Sequence, residues 1–270
     1  MILSGRCVAC FGLIITIALF SCGFVSLRNL LCGIICVGLG PGDPELMSVK
    51  ADRIIRTAKH IAYFRKAGSK GHARTIVAGL LTPQVIEFPM EYPVTTEIPP
   101  SDPRYKEILS EFYENCAEHV RNLSDQRQNV CVLCEGDPFF YGSFMHLYIR
   151  VKETHPVSVV PAITGMSAAW TQTGIPITWG DDILTVLPGT LPKEELKRRM
   201  ADTNALVIMK IGSNLEKISE ALKATDLYQK AWLIQYATME NSSVQKLSDV
   251  NDNVTPYFSI IVVHGQERRL

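Results

Sequence analysis

One stretch decides the fold of this 270-residue chain, and it reads Val130-Cys131-Val132-Leu133-Cys134-Glu135-Gly136-Asp137-Pro138-Phe139-Phe140-Tyr141-Gly142. Its first five residues are apolar, a run long enough for a buried β-strand and too short for a helix. The run ends at Gly136, which tolerates backbone angles closed to other residues, and at Pro138, which cannot continue a strand. Such a break is typical of the carboxyl end of a strand, where open α/β sheets hold their ligands.

Four other segments have the same form, a short apolar run followed by a polar loop. The predicted strands are residues 33–37, 60–64, 84–90, 130–134 and 158–160. They alternate with helices predicted at 45–59, 105–123 and 143–152, an alternation typical of a parallel sheet. Because the carboxyl ends of parallel strands share one edge, we expect the following loops to converge: 38–43, 65–74, 91–97, 135–142 and 161–168.

A second, smaller unit is predicted after Gly174-Ile175-Pro176, which has the composition of a hinge. Its predicted strands are 183–187, 205–211, 231–236 and 257–263, and its predicted helices are 193–200 and 215–224. We therefore predict two α/β domains. Residues 32–173 form a mostly parallel five-stranded sheet with helices on both faces, and residues 174–265 form a smaller domain with a mixed sheet, followed by a tail at 266–270. The cleft between two such domains is the default place for a ligand.

Composition excludes some classes of function. Lysine plus arginine and aspartate plus glutamate both number 27, so no overall field favours nucleic acid, and no such partner is expected. Cys131 and Cys134 stand three residues apart in a strand, which points their side chains to opposite faces. We interpret them as core thiols rather than half of a zinc site, and no metal site is predicted.

The first thirty residues differ from the rest. Residues 7–27 carry no charge, and as a helix they would be about 31 Å long, enough to span a membrane. They are a membrane anchor or signal, an extra helix packed on the body, or an upstream extension from a misplaced start codon. Since the remaining chain has the character of a cytosolic enzyme, we expect an apolar extension at 1–31 and a cytoplasmic protein. Membrane contact is expected only if residues 7–27 are an anchor.

The first predicted strand runs into Gly38-Leu39-Gly40-Pro41-Gly42-Asp43-Pro44, and a helix follows. A strand, a glycine-rich loop and a helix are the parts of a phosphate cradle. A dinucleotide fingerprint needs G-x-G-x-x-G, however, and Asp43 stands where the third glycine belongs. Pro41 also removes an amide donor from the loop. A nucleotide-dependent oxidoreductase is therefore disfavoured.

The loop after the second predicted strand carries four fixed cations and no acid, namely Arg65, Lys66, Lys70 and Arg74. Most charged runs are solvated loops, and that interpretation stays open. The alternative is a clamp for a polycarboxylate, because arginine offers paired donors and lysine a mobile point charge. On that interpretation Lys66, Lys70 and Arg74 bind substrate.

Four motifs occur in a fixed order: Gly38-Leu39-Gly40-Pro41-Gly42-Asp43-Pro44, Glu135-Gly136-Asp137-Pro138, Val160-Pro161-Ala162-Ile163-Thr164 and Val207-Ile208-Met209-Lys210. In this order and spacing they resemble the tetrapyrrole methylase family, the S-adenosylmethionine-dependent class III methyltransferases. The resemblance extends from about Gly33 to Gly265. Residues 134–145 and 184–192 are similar to the branch that methylates carbon 20 of precorrin-2. Ala162 and Ala237 depart from the family pattern, which often has glycine at both positions.

The resemblance implies that S-adenosylmethionine binds bent in the cleft between the domains. The family's cofactor contacts fall here on Pro41, Gly136, Asp137, Phe140, Thr164, Gly165, Met209 and Ala237. The implied substrate is precorrin-2, a polycarboxylate tetrapyrrole, and the implied assembly is a homodimer.

Methyl transfer from a sulfonium needs positioning and desolvation more than covalent help from the protein. The methylated carbon must then lose a proton, so a base or an ordered water is needed. Asp43, Glu91 and Tyr92 are the predicted catalytic residues, with Glu97 on the same edge of the sheet. Glu135 is interpreted as a cap of its own turn.

Two alternatives stay open. The same reaction can take place on the cobalt-bound substrate of the anaerobic pathway, since the macrocycle and not the protein would hold the metal. From another class, the chain can be a membrane-tethered tetrapyrrole-binding protein without turnover.

Overall fold

The computed structural model describes residues 33–95, 97–99, 102–251 and 255–265, which belong to one compact unit. The predicted extension 1–31, with its candidate anchor 7–27, and the predicted tail 266–270 lie outside the described residues. Within the described ranges, no helix has both the length and the apolar character that a membrane span requires.

The first sheet contains five strands, all parallel. They are β1 (Ile34–Gly38), β2 (His60–Lys66), β3 (Ile86–Tyr92), β4 (Val130–Cys134) and β5 (Val157–Val160). Their order is β3-β2-β4-β1-β5, so β4 is the central strand. Every residue of β1 and β4 is buried, as expected for parallel strands covered on both faces. The predicted parallel sheet is confirmed.

Helices cover both faces of this sheet. They are α1 (Val49–Thr57), α2 (His72–Ile76), α3 (Pro103–Asp125) and α4 (Phe144–Val151). Val120 of α3 and Leu147 of α4 pack on one face, and Ile55 of α1 packs on the other. Cys134 lies in the first of these cores and Cys131 in the second, so their predicted opposite orientation is confirmed.

The predicted helix at 45–59 is divided in two. A 3-10 turn covers Pro44–Leu46, and its cap is Asp43, whose carboxylate accepts a hydrogen bond from Glu45 N at 2.8 Å. The helix α1 then begins after Ser48, whose hydroxyl accepts from Ala51 N at 3.1 Å. Both caps have extended backbone angles, and each satisfies an amide at the start of its own turn, so two short elements replace one.

The second sheet is mixed, as predicted. Its strands are β6 (Leu184–Pro188), β7 (Ala205–Met209), β8 (Ala231–Gln235), β9 (Ser243–Lys246) and β10 (Ser259–Val263), in the order β6-β7-β10-β8-β9. Only the pair β6 and β7 is parallel. The helices α6 (Lys193–Met200) and α7 (Leu215–Ala224) cover one face. Single 3-10 turns occur at Gly212–Asn214, Tyr228–Lys230 and Leu247–Asp249.

The other face of the second sheet is covered by α5 (Gly165–Gln172), a helix that the apolar pattern does not predict. Ala169 of α5 packs against Ile234 and Val262. This helix precedes the predicted domain boundary at 173/174 yet contacts the second sheet, and the boundary itself stays a prediction. The segment that leaves the first sheet at β5 thus leads directly into the core of the second.

We expect Leu147→Ala to lower the free energy of unfolding by about 2–5 kcal/mol, because this fully buried side chain fills the core between α4 and the first sheet. Urea denaturation followed by circular dichroism measures the loss. Ile149→Ala on the same helix is the matched control. Ile149 is 60% exposed, so its truncation should change the stability by less than about 0.5 kcal/mol. Equal losses in the two variants would contradict the packing of α4.

Candidate active site

The loops after β1 and β4 are joined through their main chains. Gly136 N donates a hydrogen bond to Gly40 O at 2.8 Å, and Leu39 N donates to Cys134 O at 2.9 Å. Gly40 (φ 81°) and Gly136 (φ 62°) both have left-handed backbone angles, which glycine adopts without strain. Two glycine turns distant in sequence therefore form one continuous backbone surface.

Gly38 permits this close approach. A Cβ atom at Gly38 would lie 2.7 Å from Ala162 Cβ and 2.8 Å from Pro138 Cδ. Carbon atoms prefer separations of about 3.5–4.0 Å, so any side chain here would push the loops after β4 and β5 away from β1.

Asp137 connects the loop after β4 to the loop after β5. Its Oδ1 accepts a hydrogen bond from Phe139 N at 2.9 Å, and its Oδ2 accepts from Ala162 N at 3.0 Å. Both carboxylate oxygens therefore bind main-chain amides. These two hydrogen bonds position Phe140 and the residues that follow Ala162.

Thr164 and Gly165 begin α5 at the same edge. The Thr164 hydroxyl accepts a hydrogen bond from Ser167 N at 3.4 Å and so caps the helix. Gly165 N lies 3.9 Å from the position that a Cβ of Gly136 would occupy. The structure thus brings Gly136, Asp137, Thr164 and Gly165 together beside the loop that contains Pro41.

Residues after β8 also reach the glycine-rich loop. A Cβ at Gly42 would lie 2.7 Å from Met239 Cγ, so these two segments touch. Ala237 stands between Tyr236 (φ 51°) and Thr238 (φ 66°), two non-glycine residues in the left-handed region. Such angles cost free energy and cluster at functional sites.

Two buried hydroxyls of the segment after β8 have no hydrogen-bond partner among the residues that the structure describes, namely Thr238 Oγ1 and Ser242 Oγ. Buried polar atoms are nearly always paired, so an unpaired one in a native fold requires an explanation. Because these hydroxyls lie beside the glycine-rich loop, hydrogen bonding to a polar ligand is the simplest explanation.

The end of β7 meets the loop after β4. Met209 is half-buried in the core that also holds α5. The next residue, Lys210, places its Nζ 4.9 Å from the centre of the Tyr141 ring. Lys210 and Tyr141 both have a φ of 57°, so this contact joins two strained residues, one in the loop after β7 and one in the loop after β4.

The interpretation of Glu135 as a cap of its own turn is wrong. Its Oε1 accepts a hydrogen bond from Ala73 N at 2.9 Å, at the start of α2. Burial raises the pKa of this carboxyl to about 7, and the Ala73 amide offsets the rise only in part. Although protein surrounds the carboxyl, Glu135 as a residue is half-buried.

An open aromatic surface lies beside Glu135. Tyr257 is 82% exposed, and its ring is parallel to that of His72 at a centroid distance of 6.4 Å. Surrounding protein and the negative charge of Glu135 raise the pKa of the Tyr257 phenol. Burial lowers the pKa of His72. Both rings are therefore uncharged at neutral pH.

Both arginines of the predicted substrate clamp form ion pairs within the protein. Arg65 Nε lies 2.9 Å from Glu91 Oε1, and Arg74 binds Glu87 through Nε and Nη2. Lys66 Nζ lies 3.8 Å from Glu97 Oε1. Lys70 is exposed and has no ion pair with any residue that the structure describes. Of the predicted cations, Lys70 is thus the most available to a ligand.

The three predicted catalytic residues have protein partners. Glu91 pairs with Arg65, and Asp43 caps the 3-10 turn that follows it. Tyr92 donates its hydroxyl proton to Ser143 Oγ, and burial raises the pKa of this phenol. These contacts favour a positioning role over proton removal for all three.

Glu97 is also engaged. Hydrogen bonds from its own segment lower the pKa of this exposed carboxyl to about 2, and the bond from Thr95 N has the largest effect. Such a carboxylate holds a proton too weakly to accept one at neutral pH.

No cluster of three or more His, Cys, Asp or Glu side chains suited to a metal ion is found among the described residues. Sequence reasoning missed two features of the site, the bond from Glu135 to α2 and the contact between Lys210 and Tyr141. Glu135 and Lys210 belong to the motifs, and Tyr141 lies in the segment 134–145, but Ala73 belongs to none of them. No local pattern shows which distant group each of these residues contacts.

We expect Glu135→Gln to stabilise the protein at high pH. A folded-state pKa raised from 4.5 to about 7 means that the folded state binds the proton more tightly than the unfolded state. The wild type therefore loses stability as the pH rises from about 4.5 to about 7. Glutamine keeps the acceptor for Ala73 N and cannot ionise, so the variant should gain up to about 3 kcal/mol at pH 8 and nothing at pH 4.

Urea denaturation at pH 4 and pH 8 measures this difference in stability. Glu87→Gln is the control, and its stability change at pH 8 should have the opposite sign. The Arg74 guanidinium lowers the pKa of Glu87, so that variant should lose stability at pH 8 and match the wild type at low pH. A Glu135→Gln effect that is the same at both pH values would show that Glu135 does not titrate with a raised pKa.

The chain was compared with known proteins. Residues 33–250 match the family Tetrapyrrole (Corrin/Porphyrin) Methylases. A precorrin-2 C(20)-methyltransferase of Sinorhizobium sp is 48% identical over 236 residues, which are 87% of this chain and 96% of that protein. The cobalt-precorrin-2 C(20)-methyltransferase of Salmonella typhimurium is 25% identical over 232 residues, 84% of this chain and 94% of that protein.

Among solved structures, the uroporphyrin-III C-methyl transferase from Thermus thermophilus, complexed with S-adenyl homocysteine, has a TM-score of 0.62 to this chain at 21% identity. The match covers 86% of this chain and 97% of that one, and at such identity it establishes the shared fold. The family predicted from the four motifs is confirmed by the sequence match, which covers the whole first sheet and four of the five strands of the second. This chain belongs to the tetrapyrrole (corrin/porphyrin) methylases.

Proposed function

We propose that the protein methylates carbon 20 of precorrin-2, using S-adenosylmethionine and giving precorrin-3A in cobalamin biosynthesis. The observation that carries this proposal is the 48% identity to a precorrin-2 C(20)-methyltransferase over 96% of that protein's length.

The residues present fit S-adenosylmethionine. The glycine turns at Gly40 and Gly136 add no side chain to this edge of the sheet, and Thr238 and Ser242 offer buried hydroxyls that none of the described residues satisfies. When bound, S-adenosylmethionine supplies an electrophilic methyl group on a sulfonium. The protein's contribution is then alignment and exclusion of water, and alignment alone is worth roughly 7–11 kcal/mol in favourable cases.

Eight residues are proposed to contact S-adenosylmethionine: Pro41, Gly136, Asp137, Phe140, Thr164, Gly165, Met209 and Ala237. Five of them lie in the joined loops after β4 and β5 or on α5, and the glycine-rich loop carries Pro41. Because Asp137 already binds two amides, its proposed role is to hold the loop backbone against the ligand rather than to give it a free carboxylate.

The carboxylates of the substrate are proposed to bind the loop between β2 and α2. Lys70 is exposed and unpaired among the described residues, so it is the leading contact. Lys66 and Arg74 are proposed as secondary contacts, since Glu97 and Glu87 already compete for them. Asp43, Glu91 and Tyr92 are proposed to position the site through the contacts described above.

We also propose that the protein is a cytoplasmic homodimer. Deletion of residues 1–31 distinguishes this enzyme from a membrane-tethered carrier. The truncated enzyme should stay in solution and active, whereas a tethered carrier would lose its location and role.

The alternative substrate is cobalt-bound precorrin-2, and the 25% identity to the Salmonella cobalt-precorrin-2 enzyme is the observation that favours it. The higher identity to the Sinorhizobium enzyme supports the metal-free substrate instead. Parallel assays with the two substrates at matched concentrations decide between them.

We expect S-adenosylhomocysteine to bind in calorimetric titration, and mass spectrometry to find one added methyl group on precorrin-2. Nuclear magnetic resonance of the product should locate that methyl on carbon 20. Binding of S-adenosylhomocysteine without any methylated tetrapyrrole would overturn the proposed reaction.

Lys70→Glu should raise the KM for precorrin-2 about tenfold, because it replaces an attractive charge by a repulsive one worth roughly 1–2 kcal/mol. The affinity for S-adenosylhomocysteine should not change. Lys50→Glu, an equally exposed reversal on α1, is the control and should leave both values as in the wild type. A Lys70→Glu variant with an unchanged KM would remove this loop from the substrate site.

A further inference from the structure

The loop after β4 carries two carboxyl groups that the fold uses differently. Both oxygens of Asp137 accept main-chain hydrogen bonds. Glu135 has one such bond, from Ala73 N to Oε1, and its Oε2 accepts no hydrogen bond from any residue that the structure describes. A largely buried carboxyl with a free oxygen is costly for the fold and is therefore a candidate for a chemical role.

The position of Glu135 suits contact with a substrate. Ala73, its partner, lies at the start of α2, directly after the loop that carries Lys66 and Lys70. Tyr257, which is 82% exposed, lies close enough for the charge of Glu135 to raise the pKa of its phenol. The carboxyl therefore lies near both the proposed substrate loop and an exposed aromatic ring, and Glu135 as a residue is only half-buried.

The groups around Glu135 leave its proton affinity high. His72 precedes Ala73, whose amide binds Glu135, and the charge of Glu135 acts on Tyr257 in the segment before β10. Cys134 and Asp137 are its neighbours in its own strand and loop. Burial lowers the pKa of His72, and the pKa of the Tyr257 phenol is raised, so neither carries charge at neutral pH. No lysine or arginine pairs with Glu135 among the described residues, and its pKa of about 7 follows from burial without a compensating cation.

We propose that Glu135 is the catalytic base that accepts the proton released from carbon 20 when that carbon is methylated. This inference rests on the proposed function. An electron pair of the macrocycle forms the new bond from carbon 20 to the methyl carbon, and the sulfur–methyl bond breaks with its pair kept by sulfur. The hydrogen on carbon 20 then leaves as a proton to a Glu135 oxygen. The carbon–hydrogen bonding pair returns to the conjugated ring, and Glu135 later gives its proton to water.

The other acids at this edge are less suited to accept that proton. Glu91 is held by Arg65, and Glu97 has its pKa lowered to about 2. Tyr92 already donates its proton to Ser143. A base with a pKa near the working pH combines a large ionised fraction with real proton affinity, which is the condition for efficient general-base catalysis.

The test compares Glu135→Gln with the wild type over pH 5.5–9. Glutamine keeps the carbonyl acceptor for Ala73 N, so α2 stays held while the titrating group is removed. The wild-type kcat/KM should rise with pH through a midpoint near that of Glu135, since a base acts only when ionised. The variant should lose this rise and at least about 10²-fold in kcat, with the affinity for S-adenosylhomocysteine unchanged. Glu111→Gln, an exposed change on α3, is the control and should match the wild type.

A second measurement does not depend on turnover. In protein labelled with carbon-13 at the glutamate carboxyl, one resonance should titrate near neutral pH in the wild type and be absent in Glu135→Gln. A glutamine variant with wild-type kcat and the same pH dependence would overturn the proposal, as would a spectrum without a carboxyl that titrates above about pH 6.

If Glu135→Gln does not fold, Glu135→Asp decides. Aspartate keeps a titrating group but withdraws it by one methylene, so kcat should fall about tenfold or more while the pH-dependent rise remains. Wild-type kcat in that variant would overturn the proposal. Failure of the wild type to methylate precorrin-2 would instead refute the proposed function, so the two failures are distinguishable.

Discussion

The close approach of the loops after β1 and β4 is the constraint on which the site depends. Gly38 leaves no room for a Cβ, and Gly40 and Gly136 supply the left-handed angles that let the two backbones bond to each other. Asp137 then attaches the loop after β5 to the same surface. A ligand at this edge therefore meets main-chain groups held by several strands, which gives it a more precise position than one mobile loop would.

Acidic residues of the same kind have three different fates in this structure. Glu91 on β3 pairs with Arg65 of β2, and Glu87 on β3 pairs with Arg74 of α2, which lowers the pKa of Glu87. Asp137 accepts hydrogen bonds from two main-chain amides, one at each carboxylate oxygen. Glu135 has a single amide and no cation among the described groups, so burial dominates and its proton affinity rises. The environment, and not the residue type, separates structural carboxylates from a reactive one.

The second sheet completes the site through a few contacts. Met239 touches Gly42, and Lys210 meets Tyr141. Strained backbone angles at Tyr141, Lys210 and Thr238 persist because packing around them fixes their geometry. The helix α5 follows from the first sheet and packs in the core of the second, so movement of one sheet relative to the other would act on the residues at the start of this helix.

Apolar runs and turn residues predicted both sheets, the helices on both faces of the first, the opposite orientations of Cys131 and Cys134, and the edge that carries the glycine motifs, because these signals are local in the sequence. The sequence did not predict α2, α5 or β9, whose short patterns gain stability only from distant packing. It also left the partners of the charged groups open. Arg65 and Glu91 are 26 residues apart and Glu135 and Ala73 are 62 apart, and only tertiary structure brings such groups into contact. Proton affinity depends on that contact and on burial, so the tertiary structure decided which carboxyl is reactive.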